Sequence, residues 1–215
     1  MKLKIAGGDD ENGVVIGNTY DKYGSSNPIV RGLMRGFDSA LSDFVALARP
    51  QTIHEIGCGE GYWVLHWLSQ GLAARGCDFS ERVISIAREN ADASHLDASV
   101  FTARSIYDLD AVQDSADLIV CCEVLEHLED PEEALRALRK VTSQHLILSV
   151  PREPLWCALN MARGKYISDW GNTPGHLQRW SKQGFIKFVS EYFEVTKMRS
   201  PIPWTMVLCQ PKGSR

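Results

Sequence analysis

Short apolar segments alternate with amphipathic segments through the middle of the chain, and this alternation restricts the possible folds. Each apolar segment has the length of a buried strand, and each amphipathic segment places its apolar residues at helical spacing. Alternating strands and helices form a parallel sheet that is covered on both faces. The predicted strands are Thr52–Ile56, Leu72–Asp78, Ala98–Thr102, Asp117–Cys121 and His145–Val150, and the predicted helices are Tyr62–Gln70, Glu81–Ala91 and Pro131–Thr142.

The two ends of the chain add a helix before this core and three elements after it. Apolar residues recur at helical spacing from Ile29 to Ala48, and Pro50 ends the pattern. The last two predicted strands are joined by a short turn, which favours an antiparallel pair at the edge of the sheet. We therefore predict an α/β fold with a seven-stranded, mostly parallel sheet, helices on both faces and an antiparallel C-terminal edge. The three final elements are a helix over Lys182–Tyr192 and strands over Phe193–Arg199 and Trp204–Gln210.

Length and charge restrict the organisation of the chain and its partners. The 215 residues suffice for one domain, and the formal net charge is −4. Lysine and arginine are scattered, whereas a nucleic-acid-binding surface needs them clustered, so we do not expect a nucleic-acid partner. No apolar run has the length of a membrane span and the N-terminus does not read as a secretory signal, which favours a cytoplasmic protein. The oligomeric state is left open.

Composition separates an N-terminal arm from the folded domain. Residues 1–18 are rich in glycine and acidic side chains, as expected for a flexible arm or a loose hairpin. Residues 19–215 form the domain, in which residues 19–50 contain a lid and a helix, and residues 151–180 form an insertion. The six cysteines of the chain show no zinc-type spacing and are predicted to be reduced core residues.

The most informative motif follows the first strand of the predicted sheet. Acidic Glu55 precedes three alternating glycines, Gly57, Gly59 and Gly61, where the strand gives way to a helix. Glycine allows a sharp turn and the close approach of a ligand to the main chain. A dinucleotide-binding loop has another spacing and binds a pyrophosphate, which an adjacent carboxylate would repel. The same carboxylate suits the ammonium and sulfonium groups of S-adenosylmethionine (SAM), and Asp78, ending the next strand, is placed to accept hydrogen bonds from a ribose diol.

The glycine loop, Asp78 and the segment Asp117–Leu128 together resemble the motifs of class I SAM-dependent methyltransferases. The resemblance implies a Rossmann-like sheet, SAM as the cofactor and methyl transfer as the activity. Where the third motif of the family usually ends in Gly-Asp, this chain has Arg104-Ser105-Ile106, so adenine recognition falls to Ser105 and Ile106. The cofactor-binding residues that the resemblance implies are Glu55, Gly57, Cys58, Gly59, Gly61, Asp78, Phe79, Ser105, Ile106, Cys122 and Tyr20.

The wording of the fourth motif, around Glu123–His127, resembles that of ubiquinone-biosynthesis and natural-product O-methyltransferases. This narrower resemblance implies a small-molecule acceptor that is methylated on a hydroxyl oxygen. Such a hydroxyl must lose its proton, so a base is needed near the methyl group. The candidate catalytic residues are His127, His176 and Glu123. Two alternatives remain open: methylation of an RNA terminus or a protein side chain, and a SAM-binding module without catalysis.

Substrate specificity depends on whatever covers the carboxyl edge of the sheet, where ligands of open α/β sheets bind. Two segments are candidates: Tyr20–Arg35, which resembles the N-terminal lid of related enzymes, and the insertion Pro151–Trp180. The aromatic side chains of the insertion either line a pocket for an apolar, aromatic or sugar substrate or pack the insertion against the sheet. They are Trp156, Tyr166, Trp170 and Trp180.

A divalent metal ion is a further hypothesis. Glu123, Glu126 and His127 are spaced i, i+3 and i+4, so one helical turn would place them on one face, and His176 would complete the ligands. This grouping resembles the metal site of small-RNA 3′-terminal 2′-O-methyltransferases, and carboxylates with imidazoles suit Mg²⁺, Mn²⁺ or Zn²⁺. The alternative is that His127 acts as a base or orients the loop.

Overall fold

The computed structural model of the protein describes residues 3–11, 14–162, 164 and 166–213. Residues 1, 2, 12 and 13 of the predicted arm, 163 and 165 of the insertion, and 214 and 215 lie outside the described residues. The strands are β1 (Asp10–Glu11), β2 (Val14–Val15), β3 (Thr52–Ile56), β4 (Ala73–Asp78), β5 (Phe101–Ala103), β6 (Ala116–Cys122), β7 (Thr142–Pro151), β8 (Phe193–Arg199) and β9 (Trp204–Pro211). The α-helices are α1 (Pro28–Ala48), α2 (Tyr62–Ser69), α3 (Glu81–Ala93), α4 (Pro131–Val141), α5 (Leu155–Ala162) and α6 (Lys182–Tyr192).

Seven of these strands form one sheet in the order β5-β4-β3-β6-β7-β9-β8. The pairs from β5 to β7 are parallel, whereas β9 pairs antiparallel with both β7 and β8. The predicted fold class is therefore confirmed. The chain order reverses at β3, so the crevice between β3 and β6 is the switch point at which such sheets bind ligands.

Alternating side chains of the sheet enter two different cores. In β6, Leu118 and Val120 pack into the core beneath α1, α2 and α3, while Ile119 and Cys121 pack into the core beneath α4 and α6. This alternation is the period-two pattern of a strand that is covered on both faces. Each fully buried side chain of this kind stabilises the fold by about 1.5–3 kcal/mol relative to an exposed one.

Capping side chains explain where the helices begin. The Ser80 side chain accepts a hydrogen bond from the Val83 N–H at the start of α3, and the Asp130 side chain accepts one from the Glu133 N–H at the start of α4. Such caps contribute about 1 kcal/mol each. Both predicted helix starts are confirmed.

One predicted strand begins in the wrong place. Ala98–Val100 is a 3-10 turn rather than strand, because the Asp97 side chain accepts the Ser99 N–H and closes a local turn there. The strand β5 covers only Phe101–Ala103. Thr142 was also predicted to be the last residue of a helix. It is instead the first residue of β7, which is longer than the predicted strand at both ends.

The segment before α1 lies against the domain. Strands β1 and β2 form a short antiparallel hairpin, and Ala6 and Ile16 pack with Val83 and Ile86 of α3. The flexibility of the arm and the functional division of the chain stay predictions. Within the described ranges, no helix has both the length and the apolar character of a membrane span.

Candidate cofactor and acceptor site

A cavity of about 840 Å³ opens where the carboxyl ends of β3, β4 and β6 meet. These ends bring together residues that are far apart in the sequence, because parallel strands finish at the same edge of the sheet. Nine of the eleven predicted cofactor residues line the cavity: Glu55, Gly57, Cys58, Gly59, Asp78, Phe79, Ser105, Ile106 and Cys122. Gly61 and Tyr20 are not among the lining residues.

The glycine loop turns tightly at the end of β3. The N–H groups of Gly57 and Cys58 both donate to the Cys77 carbonyl, at 2.8 and 2.9 Å. Gly57 has φ +76°, and a Cβ there would lie 2.3 Å from Val124 Cγ2, so only glycine fits. Gly61 serves packing instead, since a Cβ there would lie 2.6 Å from the Phe101 ring.

Asp78 holds the other side of this loop. Its Oδ2 accepts the Gly59 N–H and its Oδ1 accepts the Ser80 N–H, both at 3.1 Å. Burial raises the pKa of the Asp78 carboxyl, an effect that these two N–H donors oppose. Each carboxylate oxygen keeps a free lone pair, and Phe79 beside it exposes 51% of its surface at the cavity. The pair offers acceptors for a diol and an open ring for stacking.

Glu55 is a buried acid in the cavity wall. Its Oε2 has no hydrogen-bond partner among the described atoms, and burial raises its pKa well above the usual value. The positive charge of Lys22 opposes that rise. A buried carboxylate without a partner is costly unless a cation or donor satisfies it. The charge and position of Glu55 therefore fit the cationic groups of SAM.

The departure from the usual third motif is resolved by local contacts. Arg104 donates to Asp114 at 2.8 Å and pairs with it, and the Ser105 side chain accepts the Tyr107 N–H at the start of a 3-10 turn. Ile106 is buried beneath the cavity, while Tyr107 lies half exposed at its edge. An apolar floor with an aromatic edge is therefore present where the resemblance implies adenine.

Both carboxylate oxygens of Glu123 accept hydrogen bonds from neighbouring side chains. Its Oε1 accepts the Ser149 hydroxyl at 2.9 Å, and its Oε2 accepts the Trp204 Nε1–H at 2.5 Å. Burial raises the Glu123 pKa to about 7. Its φ of +59° is a left-handed conformation that costs free energy outside glycine, so the surrounding contacts must hold it.

The predicted single helical turn from Glu123 to His127 is wrong. Only Leu125–His127 form a 3-10 turn, and Glu123 precedes it in a left-handed conformation. Glu126 points into the protein, where it is buried with Oε2 unpartnered, while Glu123 faces the cavity. The prediction that Glu123, Glu126 and His127 share one helical face is wrong, because it assumed α-helical spacing in a segment that is not an α-helix.

His127 and His176 come together from distant parts of the chain. Their ring centroids lie 4.9 Å apart, and His127 lines the cavity whereas His176 does not. The His127 Nδ1 lies 2.9 Å from the Gly175 carbonyl oxygen, which can only accept, so Nδ1 carries the proton and Nε2 is free. Surrounding atoms desolvate the His127 ring and lower its pKa, although its outer edge stays exposed. Burial lowers the His176 pKa to about 4, with a further contribution from His127.

Three of the four predicted metal ligands form a cluster. One ligand atom each of Glu126, His127 and His176 lies within 4.8 Å of the others. A carboxylate with two neutral imidazoles is a donor set that fits a divalent ion, and the unpartnered Glu126 oxygen agrees with such a fit. Glu123 is kept out of this set by Ser149 and Trp204.

Several cavity residues outside the predicted cofactor set come from the predicted lid Tyr20–Arg35, from the insertion and from other segments. Lys22 and Tyr23 line the cavity in place of Tyr20, which is half exposed outside it. The Tyr23 ring stacks on Tyr62 with centroids 3.6 Å apart. Residues from α1, α2, β9 and the insertion complete the apolar wall: Met34, Phe37, Tyr62, Trp63, Leu177 and Trp204. The buried face of α1 was a usable signal for Met34 and Phe37. Lys22 lies in the predicted lid but was not named individually, and nothing local indicated Trp204.

The aromatic rings of the insertion have separate environments. Trp156 donates from Nε1 to Thr173 Oγ1 at 2.9 Å and lies 6.1 Å from the Trp204 ring. Trp180 packs on Phe185 and Phe188 of α6, and Trp170 exposes 79% of its surface. Among the described rings of the insertion, Trp156 contacts the cavity wall through Trp204, whereas Trp180 packs on α6.

The comparisons with known proteins agree with this geometry. A family model described as a methyltransferase domain matches residues 54–145. The ubiquinone biosynthesis O-methyltransferase of Alkalilimnicola ehrlichii is 26% identical over 146 residues, which cover 61% of this chain and 58% of that protein. The protein of the same name from Coxiella burnetii is 29% identical over 148 residues, covering 63% of each chain. The chain thus spans less than two thirds of the length of these curated relatives.

A solved structure shows the same fold over most of the chain. Magnesium protoporphyrin IX methyltransferase from Synechocystis PCC 6803, with bound S-adenosylhomocysteine (SAH), superposes with a TM-score of 0.65 at 18% identity. The superposition covers 88% of this chain and 90% of that one. Together with the glycine loop and the acids at the ends of β3 and β4, the family-model match and the curated relatives support a class I SAM-dependent methyltransferase family for this chain.

Proposed function

We propose that the protein transfers a methyl group from SAM to a hydroxyl oxygen of a small-molecule acceptor. The observation that carries the proposal is the buried Glu55 carboxyl group, whose Oε2 has no hydrogen-bond partner among the described atoms, in a cavity that Asp78 also lines. One acid there suits a cation and the other suits a diol. When bound, SAM supplies an electrophilic methyl group on its sulfonium sulfur.

The charge of the cavity supports a small acceptor over a nucleic acid. Lys22 and Arg104 are its basic lining residues, and Arg104 is already paired with Asp114. The lining acids outnumber these bases: Glu55, Glu60, Asp78, Glu123, Glu129 and Asp130. Such a wall lacks the clustered bases that a phosphate backbone needs. The curated relatives are named as O-methyltransferases of ubiquinone biosynthesis, which supports a hydroxyl acceptor.

The acceptor is proposed to lie against the apolar wall. Met34, Phe37, Trp204 and Leu177 provide this surface near Glu123 and His127. Apolar surface binds the body of a ligand and excludes water, and it leaves few polar groups to orient the reacting hydroxyl. Methyl transfer gains most from holding the nucleophile in line with the bond that breaks.

His127 is the proposed proton acceptor. Its Nδ1–H is fixed on the Gly175 carbonyl, so the Nε2 lone pair is available to take the hydroxyl proton as the new carbon–oxygen bond forms. The lowered pKa keeps the ring neutral at neutral pH. His176 beside it is proposed to help orient the ring rather than to react.

A metal-assisted route is the alternative for the same residues. Glu126, His127 and His176 would hold a divalent ion, which would acidify a coordinated hydroxyl. The two routes differ in their response to chelation, as set out in the Discussion.

The segments Tyr20–Arg35 and Pro151–Trp180 are proposed to close over the ligands. Lys22, Tyr23 and Leu177 from these segments line the cavity. The insertion is tied to the loop after β6, since the Leu177 and Gln178 N–H groups both donate to the Glu126 carbonyl, at 2.8 and 3.0 Å. We expect SAH to increase the protection of Tyr20–Arg35 against hydrogen exchange. Equal exchange with and without SAH would make that segment a fixed wall.

Calorimetry with SAM and SAH, followed by incubation of an extract with methyl-labelled SAM, tests the proposed function. We expect affinity in the micromolar range, about −8 kcal/mol, and label in hydroxylated small molecules. Label in RNA or protein would contradict the acceptor class. Cofactor binding without any labelled product would favour a non-catalytic module, and no binding of SAM would contradict the proposal altogether.

A further inference from the structure

A buried carboxylate in the glycine loop holds the N-terminal segment. We call residues 3–11 and 14–18 the N-terminal strap. Glu60 is 1% exposed, and its Oε1 accepts the N–H groups of Ala6 and Asn18 at 3.1 and 2.7 Å. Its Oε2 accepts the Asn18 side-chain amide at 2.5 Å. Hydrogen bonds to an ionised acceptor are about twice as strong as neutral ones, so three of them on one buried group form a firm attachment.

Asn90 of α3 makes a second attachment to the same place. Its Nδ2 donates to the carbonyl of Glu60 and to the carbonyl of Lys4, both at 3.0 Å. Its Oδ1 accepts the Lys4 N–H at 2.8 Å. The side chain thus replaces a strand partner for the strap and links it to the backbone of the glycine loop.

The strap runs very close to this carboxylate. Gly17 has φ +60°, and a Cβ there would lie 2.4 Å from Glu60 Oε1 and 2.9 Å from Ala6 Cβ. The next residue inward, Ile16, is 1% exposed in the apolar cluster on α3. Gly17 lies at the closest approach and its neighbour Ile16 is buried. The strap is therefore closely packed against Glu60 rather than in incidental contact with it.

The attachment is also part of the ligand cavity. Gly17, Asn18 and Glu60 all line it, together with Lys22 just beyond the strap. Glu60 follows Gly59, whose N–H donates to Asp78, so the strap is anchored within the loop that carries the proposed cofactor contacts.

We propose that Glu60 is a positioning residue that latches the N-terminal strap over the glycine loop and thereby controls the release of the cofactor. This inference rests on the proposed binding of SAM. Ligand affinity falls in proportion to the fraction of molecules in the binding-competent state, so a strap that opens freely weakens binding and speeds dissociation. The chemistry of methyl transfer is not touched by the strap.

Stopped-flow dissociation of SAH from the full-length protein tests the latch with paired variants. We expect Glu60→Ala to raise the dissociation rate by about 10-fold or more, since all three acceptor bonds are lost. Asn18→Ala, which leaves the Ala6 bond in place, should show a smaller increase. Glu60→Gln should stay within about 3-fold of wild type, because the Asn18 amide can rotate to accept from the new side-chain N–H₂ group.

Glu89→Gln in α3 is the matched control, because the partner of Glu89, Lys4, lies on the same strap. Glu89 pairs with Lys4 on the surface, where both side chains are more than half exposed. Such a pair contributes little, so dissociation should be unchanged. If Glu60→Ala folds and releases SAH at the wild-type rate, the latch is refuted, and if that variant does not fold, Asn18→Ala decides in the same way.

Hydrogen exchange without ligand separates this proposal from the proposed function. The latch requires that residues 3–11 and 14–18 lose protection in Glu60→Ala but not in Glu89→Gln. Unchanged protection in both variants overturns the latch even if SAM binds. A wild-type protein that binds neither SAM nor SAH overturns the proposed function, whatever the exchange of the strap shows.

Discussion

The indole Nε1 of Trp204 donates a hydrogen bond to the Glu123 carboxylate at 2.5 Å. The two residues come from β9 and from the loop after β6, and both line the cavity. The bond holds a large ring in the cavity wall and occupies one oxygen of the carboxylate. We therefore expect Glu123 to support the wall rather than to ligate a metal or take a proton.

Replacing Trp204 by phenylalanine tests this role. The new ring keeps the contacts with Phe37 and Trp156 but leaves Glu123 Oε2 without its donor. We expect the KM for the acceptor to rise by about 10-fold, as for one lost bond to a charged group, with little change in SAM affinity. Trp180→Phe, which alters a ring packed on α6, is the control and should leave both constants unchanged. Equal loss of SAM affinity in Trp204→Phe would show that the ring supports the cofactor side.

Removing the Asp78 carboxylate should weaken cofactor binding. Asp78→Ala deletes the acceptor proposed for the ribose diol and the partner of the Gly59 N–H. We expect a loss of about 1.5–3 kcal/mol in SAM and SAH binding by calorimetry. Asp97→Ala removes another carboxylate that accepts a backbone N–H but does not line the cavity, and this variant should bind as wild type does. Unchanged affinity in Asp78→Ala would remove this residue from the site.

The proposed base predicts a loss of turnover and a shifted pH profile. His127→Ala should lower kcat by about 10²–10⁴-fold while SAM still binds, because the hydroxyl loses its proton acceptor. His145→Ala, in β7 and outside the cavity lining, is the control.

The sign of the pH dependence follows from desolvation. Burial favours the neutral imidazole, so the pKa of His127 lies below the ordinary histidine value of about 6.5, and activity falls as pH drops through that lowered value. A kcat/KM profile whose acidic limb lies above the ordinary value would contradict this base.

Chelation distinguishes the base from a metal ion. We expect turnover to survive exhaustive chelation, because the free Nε2 of His127 can accept the proton without an ion. Mg²⁺, Mn²⁺ and Zn²⁺ are then added back separately. Turnover that vanishes on chelation and returns with one ion would assign Glu126, His127 and His176 as its ligands, and His176→Ala should then abolish the response to that ion.

Local chemistry explains how much of the fold was predictable. The strands Thr52–Ile56 and Phe193–Arg199 have the bounds that their apolar patterns predict, and the starts of α3 and α4 follow from their capping side chains. Ala98–Val100 failed because a capping aspartate outweighs an apolar run of that length. The periodicity of apolar residues and the capping side chains are each encoded within a few residues, so strands and helices can be predicted before the fold is known.

The site could be predicted only in part, because local sequence does not show which distant residues meet in the fold. Glu55, Gly57 and Asp78 lie at strand ends whose meeting follows from a parallel sheet. Lys22 and Trp204 reach the cavity through tertiary packing, and no spacing in the sequence relates them to the glycine loop. The helical turn predicted to begin at Glu123 is absent, because a count of helical spacing does not detect the left-handed backbone of that residue.

The two walls of the cavity come from different parts of the sequence. The wall around Glu55 and Asp78 comes from residues 55–60 and 78–107, whereas the apolar wall is assembled from α1, α2, β9 and the insertion. Exchanges at Met34, Phe37 or Leu177 therefore leave the strand–loop–strand unit that carries the acids intact. Proteins with this architecture can therefore acquire new acceptors by substitution at scattered apolar positions. The proposed binding site for the methyl donor is unchanged by such substitutions.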